Sequence, residues 1–155
     1  MKNLGQRGIT FLEVIITIAI IGIIVAVVLP QFSKMKQLQA LKNAGEDVIS
    51  SFNKAKAQTL ASLNSSEYGV HFQSDRIIIF KGSVFNAGDS NNETISIILP
   101  AMISNIALTG GAVDCYFERL SGMPSKTGSV TVSIPSDANL NKIITVSATG
   151  SISMN

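Results

Sequence analysis

The sequence predicts an α+β protein: one long N-terminal helix, membrane-spanning in its first half and amphipathic in its second, packed on a C-terminal domain of antiparallel β-sheet. Three observations carry that prediction. Residues 9–29 are apolar on every side, residues 31–63 repeat their apolar positions at intervals of three or four, and from residue 64 the period drops to two. At 155 residues the chain holds one domain with a sizeable core and is too short for two ordinary ones.

The first element is the stretch from Gly8 to Pro30, which opens Ile9-Thr10-Phe11-Leu12-Glu13 and continues as an apolar run to Leu29 broken only by Thr17. A helix apolar all round is either a buried core helix or a membrane span. Residues 9–29 give 21 positions, close to the roughly 20 needed to cross a hydrocarbon core, so the expectation is a span over residues 9–30. Ahead of it, residues 1–8 carry Lys2 and Arg7 and no acid. Positive charge beside a span holds that end in the cytoplasm, which puts the body after Pro30 outside the cytoplasmic membrane. A secretory signal is the competing reading, but Val27-Val28-Leu29-Pro30 offers no small-residue cleavage site, leaving a plain signal anchor as the alternative. Glu13 is the odd residue. A charge at the centre of a span costs about 2.5–3.5 kcal/mol on insertion scales, so this carboxylate needs a partner or a special depth. In a first turn it suits the helix dipole, and the ammonium of a neighbouring copy would also satisfy it.

Pro30 removes the backbone bond to Ala26 and is expected to kink the helix without ending it. Over residues 31–63, Phe32, Met35, Leu38, Leu41, Val48, Ile49, Phe52, Ala55 and Leu63 make a stripe to bury, between Lys34, Lys36, Lys42, Glu46, Asp47, Lys54 and Lys56. Gly45 lowers the helical preference by about 1 kcal/mol relative to alanine.

Residues 64–155 read as the β-rich domain. Tyr68, Val70 and Phe72 share one face of a strand, and residues 75–81 form a second that is apolar on both sides, the two joined as a hairpin through residues 73–75. A polar loop over residues 84–93 precedes a strand at 94–99 with Ile95, Ile97 and Leu99 inward, stopped by Pro100. Further strands follow at 103–108, at Val113, Cys115 and Phe117, and at Val130, Val132 and Ile134. After a loop over 135–141 come Ile144 and Val146, a turn at Thr149-Gly150, and a last strand with Ile152 and Met154. Short strands gathered after one helix argue for sheets packed on that helix.

Gly8 followed by Ile-Thr-Phe-Leu-Glu and a long apolar run resembles the leader of type IV pilins and type II secretion pseudopilins. The resemblance implies a pilin fold, with a prepilin peptidase cutting after Gly8 and methylating the new amino terminus at Ile9. Glu13 matches the family's glutamate at the fifth mature position, and Pro30 falls where many pilins carry a proline. Ile9 departs from the usual phenylalanine. In the second half of the chain, Tyr68-Gly69-Val70 to Lys81-Gly82, Phe117-Glu118-Arg119 with Gly122, residues 129–134, and residues 143–152 around Gly150 are similar to the GspH/FimT group of minor pilins and pseudopilins. The family's partners are other pilin or pseudopilin subunits, the prepilin peptidase and an inner-membrane assembly platform. Its location is the inner (cytoplasmic) membrane with a single pass, then the pilus or pseudopilus.

Nothing in the residues asks for catalysis, a cofactor or a metal. His71 is the only histidine and sits on the outer face of its strand, and Cys115 alternates with core residues and has no evident activating base. The acidic turn Asp89-Ser90-Asn91-Asn92-Glu93 has oxygen donors for calcium but lacks the glycine and closing glutamate of an EF-hand loop, so it reads as a polar turn. One cysteine excludes an intrachain disulfide. A net charge of +2 demands no nucleic acid. Some FimT-like pilins bind DNA through a basic tail, whereas residues 150–155 hold no Lys or Arg. The expectation is therefore a structural assembly subunit, minor rather than major, with a DNA-binding competence pilin or a major pilin as alternatives. Pilus and secretion system share this N-terminal machinery and are not separated by the residues.

Overall fold

The computed structural model describes residues 8–155, so the leader cations Lys2 and Arg7 lie outside the described residues. Among the described residues one α-helix, α1 (Phe11–Leu60), is followed by eight strands: β1 (Tyr68–Phe72), β2 (Arg76–Lys81), β3 (Glu93–Ser96), β4 (Met102–Leu108), β5 (Asp114–Phe117), β6 (Gly128–Ile134), β7 (Asp137–Val146) and β8 (Ile152–Met154). The chain divides into two compact units, Met1–Lys36 and Gln37–Asn155. In the first, every described residue is exposed. The second contains the hydrophobic core.

In that second unit α1 presents a buried stripe of Leu41, Ala44, Gly45, Val48, Ser51, Phe52, Ala55 and Thr59 at spacings of three and four. Two four-stranded antiparallel sheets supply the rest of the core, ordered β3-β2-β1-β5 and β4-β6-β7-β8. The period of two aims Val70, Phe72, Ile77, Ile79, Cys115 and Phe117 of the first sheet, and Val130, Val132, Ile134, Ile144 and Val146 of the second, into one cluster with the helix stripe. Phe52 lies at its centre, its ring 5.1 Å from Phe72 and 6.3 Å from Phe117 by centroid.

The expected antiparallel sheets and the β1–β2 hairpin are found, with Phe72 opposite Ile77. Several boundaries differ. The helix stops at Leu60 rather than 63, because Ser62, Asn64 and Ser65 take left-handed backbone angles that no helix continues. Burial of the amphipathic stripe begins near Leu41, and Phe32, Met35 and Leu38 stay exposed. Leu99 is exposed because β3 ends at Ser96, and Val113 is exposed because β5 starts one residue later. The loop expected at 135–141 is mostly strand: β7 begins at Asp137, and only residues 138–140 bulge out of register between the Ile134–Asp137 and Ser133–Asn141 pairs.

Two glycines are explained by close approach. At Gly45 the Sδ of Met154, from β8, lies 2.7 Å from where a Cβ would stand, so the helix accepts a weak helix former to seat the last strand. At Gly69 a Cβ would meet Phe80 Cζ at 2.5 Å and the Cys115 carbonyl oxygen at 2.9 Å. Alanine normally improves on glycine in a strand interior. Here Gly69→Ala is expected to lower stability by about 1–3 kcal/mol through overpacking against backbone, measured by urea unfolding of the detergent-solubilised chain. An unchanged midpoint would mean that the Phe80 ring and β5 yield freely.

Candidate functional site

The residues singled out by the sequence fall into two groups: the start of α1, and polar side chains on the β-rich unit.

At the start of α1, Gly8, Ile9 and Thr10 are non-helical, and helix begins at Phe11. Thr10 is its cap. The Thr10 hydroxyl accepts a bond from the Glu13 backbone N–H at 3.3 Å, and its carbonyl accepts the Val14 N–H at 3.2 Å. Thr10 and Glu13 thus hold the first and fourth positions of the Thr-x-x-Glu pattern that starts helices, a cue legible in the sequence and additional to the carboxylate's fit with the dipole. Thr17, the other polar group here, turns its hydroxyl onto the Glu13 and Val14 carbonyls at 2.9 and 2.8 Å. Its polarity is spent on backbone, leaving the outer surface apolar. Ile9, Phe11 and Leu12 are 76%, 82% and 67% exposed, and the large apolar residues through Leu29 are all exposed. Glu13 is the sole charge in residues 8–33. Among the described residues the ion pairs join Lys42 to Glu46, Lys54 to Glu93 and Arg76 to Asp75, and none uses Glu13. α1 continues through Pro30 and holds a stretch long and apolar enough to cross a membrane.

On the β-rich unit the candidate polar residues are absorbed into structure. His71 is half-buried, stacked on Phe85 with centroids 3.8 Å apart and planes 7° from parallel, and burial lowers its pKa while Asp114 opposite raises it. Cys115 is buried, its Sγ 3.3 Å from the Lys126 carbonyl, and burial pushes the thiol above its ordinary 9.0. In the acidic turn, Asp89 Oδ1 accepts both the backbone and side-chain N–H of Asn91, which holds its carboxyl below the usual range, while Glu93 turns away to Lys54 at 2.7 Å. Its oxygens do not converge. No three His, Cys, Asp or Glu among the described residues could hold a metal ion.

The later part of the basic flank of α1 is not a free row of charges. Lys54 pairs with Glu93, and half-buried Lys56 donates to the Gly150 carbonyl at 2.8 Å. Gly122 and Gly150, both at positive φ, make room for this contact, since a Cβ on either would stand within about 3 Å of Lys56. Thr59, fully buried, donates to the Ala55 carbonyl at 2.9 Å and accepts the Tyr68 N–H at 2.9 Å, tying the end of α1 to β1. Neither anchor was visible in the sequence, because each joins residues whose local patterns are unrelated.

Residues 3–29 match the prokaryotic N-terminal methylation motif. Among solved structures the chain is similar to the type IV minor pilin FimU of Pseudomonas aeruginosa, strain PAO1, with a TM-score of 0.53 and 10% identity. The similarity covers 74% of this chain and 92% of that one, and at this identity it is a likeness of fold. No curated protein matches the chain. The chain thus shares the methylation motif over its first residues and a pilin-like fold over the rest.

The buried thiol gives a test of the β-rich unit. Because its folded pKa is raised, Cys115 contributes stability that is present below about pH 9 and is lost as pH climbs above that value. At pH 8, iodoacetamide labelling of the folded chain should run about 100-fold slower than in urea, the ratio set by an opening free energy of roughly 3 kcal/mol. Equal rates would place Cys115 outside the core.

Proposed function

We propose that this chain, a type IV pilin-class structural subunit by its N-terminal motif and its fold, is cut after Gly8 by a prepilin peptidase, methylated at Ile9, stored in the cytoplasmic membrane and drawn into a filament by helix packing. The observation that carries the reading is the coincidence of the methylation motif with a capped helix start whose following surface is apolar all round and bears one carboxylate.

Residues 1–8 are then the leader, residues 9–30 the membrane and assembly segment, and the β-rich unit the part outside the membrane. Within lipid the apolar side chains need no partner and the Thr17 hydroxyl is satisfied within the helix, which leaves Glu13 as the one side chain that does need one. On leaving lipid the same surface has to meet other copies or other pilin-type subunits. Glu13 supplies direction to that step. Its carboxylate pairs with the amino terminus of an adjacent subunit, which removes two charges at once from an apolar interior. Pro30 leaves the Ala26 carbonyl without its helical donor, a soft point at the end of the segment. Partners are therefore other pilin-type subunits, the peptidase and an inner-membrane assembly platform. The likeness to a minor pilin supports a minor subunit, in a pilus or in a secretion pseudopilus.

The geometry takes two cations and the tail away from the DNA-binding alternative. Lys54 and Lys56 are committed to Glu93 and Gly150, and the β8 edge that would present a basic tail is Ile-Ser-Met, paired to β7.

Mass spectrometry of sheared surface filaments tests the reading. The expected N-terminal peptide begins at methylated Ile9, and the chain is scarce relative to a bulk subunit. A dominant chain would make it the major pilin, and absence from filaments despite cleavage would favour a pseudopilus or an anchored monomer. Glu13→Ala should leave cleavage intact and lower incorporation about tenfold or more, since removing one partner of a buried charge pair strands the other at about 2–5 kcal/mol. Undiminished incorporation of that variant would remove Glu13 from the assembly step.

A further inference from the structure

The turn between β3 and β4 carries two consecutive large aliphatic residues that the fold holds out of the core. Ile98 and Leu99 are 71% and 78% exposed, while Ile97 before them and Ala101 after them are buried at 6% and 1%. The turn is pinned at both ends: the Ile97 N–H donates to the Asp75 carbonyl at 2.8 Å, the Ile103 N–H to Ser74 at 3.0 Å, and the Ala101 N–H closes onto Ile98 at 3.2 Å. Lone exposed aliphatics are ordinary, but here two adjacent ones form a fixed tip.

The location of that tip is given by contacts within the β-rich unit. Thr59 bonds the first residue of β1 and Phe52 meets its last, so β1 runs back along α1 and its following turn, residues 73–75, points toward the incoming end of the helix. Met102 pairs with Ser133, close to the β6–β7 turn where Ser136 bonds Gln37, the first residue of the unit. The Ile98–Leu99 tip therefore sits on the end of the unit at which α1 enters.

We propose that this tip is a lipid-interface anchor, which rests the β-rich unit on the bilayer surface while the subunit is held in the membrane. The proposal rests on the membrane reading of residues 9–30. Only residues 30–36 separate Leu29 from Gln37. Seven residues reach about 25 Å at full extension, so this end is tethered within that distance of the end of the span. At so high an effective concentration, two side chains of apolar surface are enough for docking. The tip itself brings no free cation: Asp75 is paired with Arg76, and Asp137 adds an acid to the same end.

The chain has no tryptophan, so single substitutions report position. The full chain is reconstituted in phosphatidylcholine vesicles carrying brominated lipid, with Ile98→Trp, Leu99→Trp, Ile20→Trp in the span, or Leu120→Trp in the β5–β6 connection. The expected result is blue-shifted emission, quenched at least about twofold, for Ile98→Trp, Leu99→Trp and Ile20→Trp, with Leu120→Trp unquenched. Quenching of Ile20→Trp without quenching of either tip variant overturns the anchor and leaves the span standing. An unquenched Ile20→Trp overturns the membrane reading and the anchor with it. A blue shift at the tip that grows with the protein-to-lipid ratio and resists brominated lipid means another copy covers the tip, which also overturns the anchor.

Discussion

A helix with no polar face cannot present itself to water, and the first half of α1 has none. Fully burying a large aliphatic side chain is worth about 1.5–3 kcal/mol, and residues 9–29 hold more than a dozen of them in exposed positions. Their combined demand for cover is larger than the 5–15 kcal/mol, roughly, by which a domain of ordinary size is stable. The β-rich unit cannot meet it, because its sheets are already filled by the second half of the helix and by each other. Cover must come from lipid or from other chains, and everything proposed for this molecule follows from which of the two is present.

The second half of α1 solves the opposite problem. It offers one narrow stripe, and the sheets are shaped around it: Phe52 against Phe72 and Phe117 on one side, Gly45 hollowed for Met154 on the other. Two polar anchors then fix where the helix ends. Thr59 bonds β1, and Lys56 bonds the turn before β8. Buried polar groups are costly unless paired, so these pairings tie the helix C-terminus to one arrangement of both sheets. The same helix is thus generic in its first half and highly particular in its second, which suits a subunit whose assembly surface is shared and whose other surface is its own.

Residue patterns conveyed most of this architecture. The change of period near residue 64 placed the boundary between helix and sheet, and the alternation at Val130, Val132 and Ile134 named three fully buried residues. Misreadings came where a short strand gives alternation too few steps. β3 and β5 have four residues each, so Leu99 and Val113 lie just beyond the pleat and turn outward although they keep the apolar rhythm. The helix end was misplaced because Leu63 continues the stripe in sequence, whereas left-handed angles at Ser62 and Asn64 interrupt it in space. Long-range partners left no local trace. Lys56 looks like one more solvated lysine until Gly150, 94 residues away, is placed beside it, and Gly69 looks like a weak strand residue until the Phe80 ring is laid across it. At the helix start the legible signal was the Thr-x-x-Glu spacing, whose capping bond shows how Glu13 is held.

That bond bears on the chemistry of the proposed assembly step. In a reciprocal capping arrangement the glutamate side chain turns back to serve its own helix. The bond found here runs from the Glu13 N–H to the Thr10 hydroxyl, so a backbone donor of the first turn is satisfied without the carboxylate. An amino terminus created at Ile9 would stand beside the positive end of the helix dipole, where its charge is unwelcome, and only two residues ahead of the first helical position. One helix start therefore gathers an ammonium and a dipole of the same sign with a single carboxylate, Glu13, among residues 8–33. In lipid headgroups that excess positive charge is tolerable. In an apolar filament interior it is not, and bringing each ammonium against the carboxylate of the next chain neutralises the row without any residue beyond those already at the helix start. In the proposed exchange, capping by Thr10 is what leaves the carboxylate available.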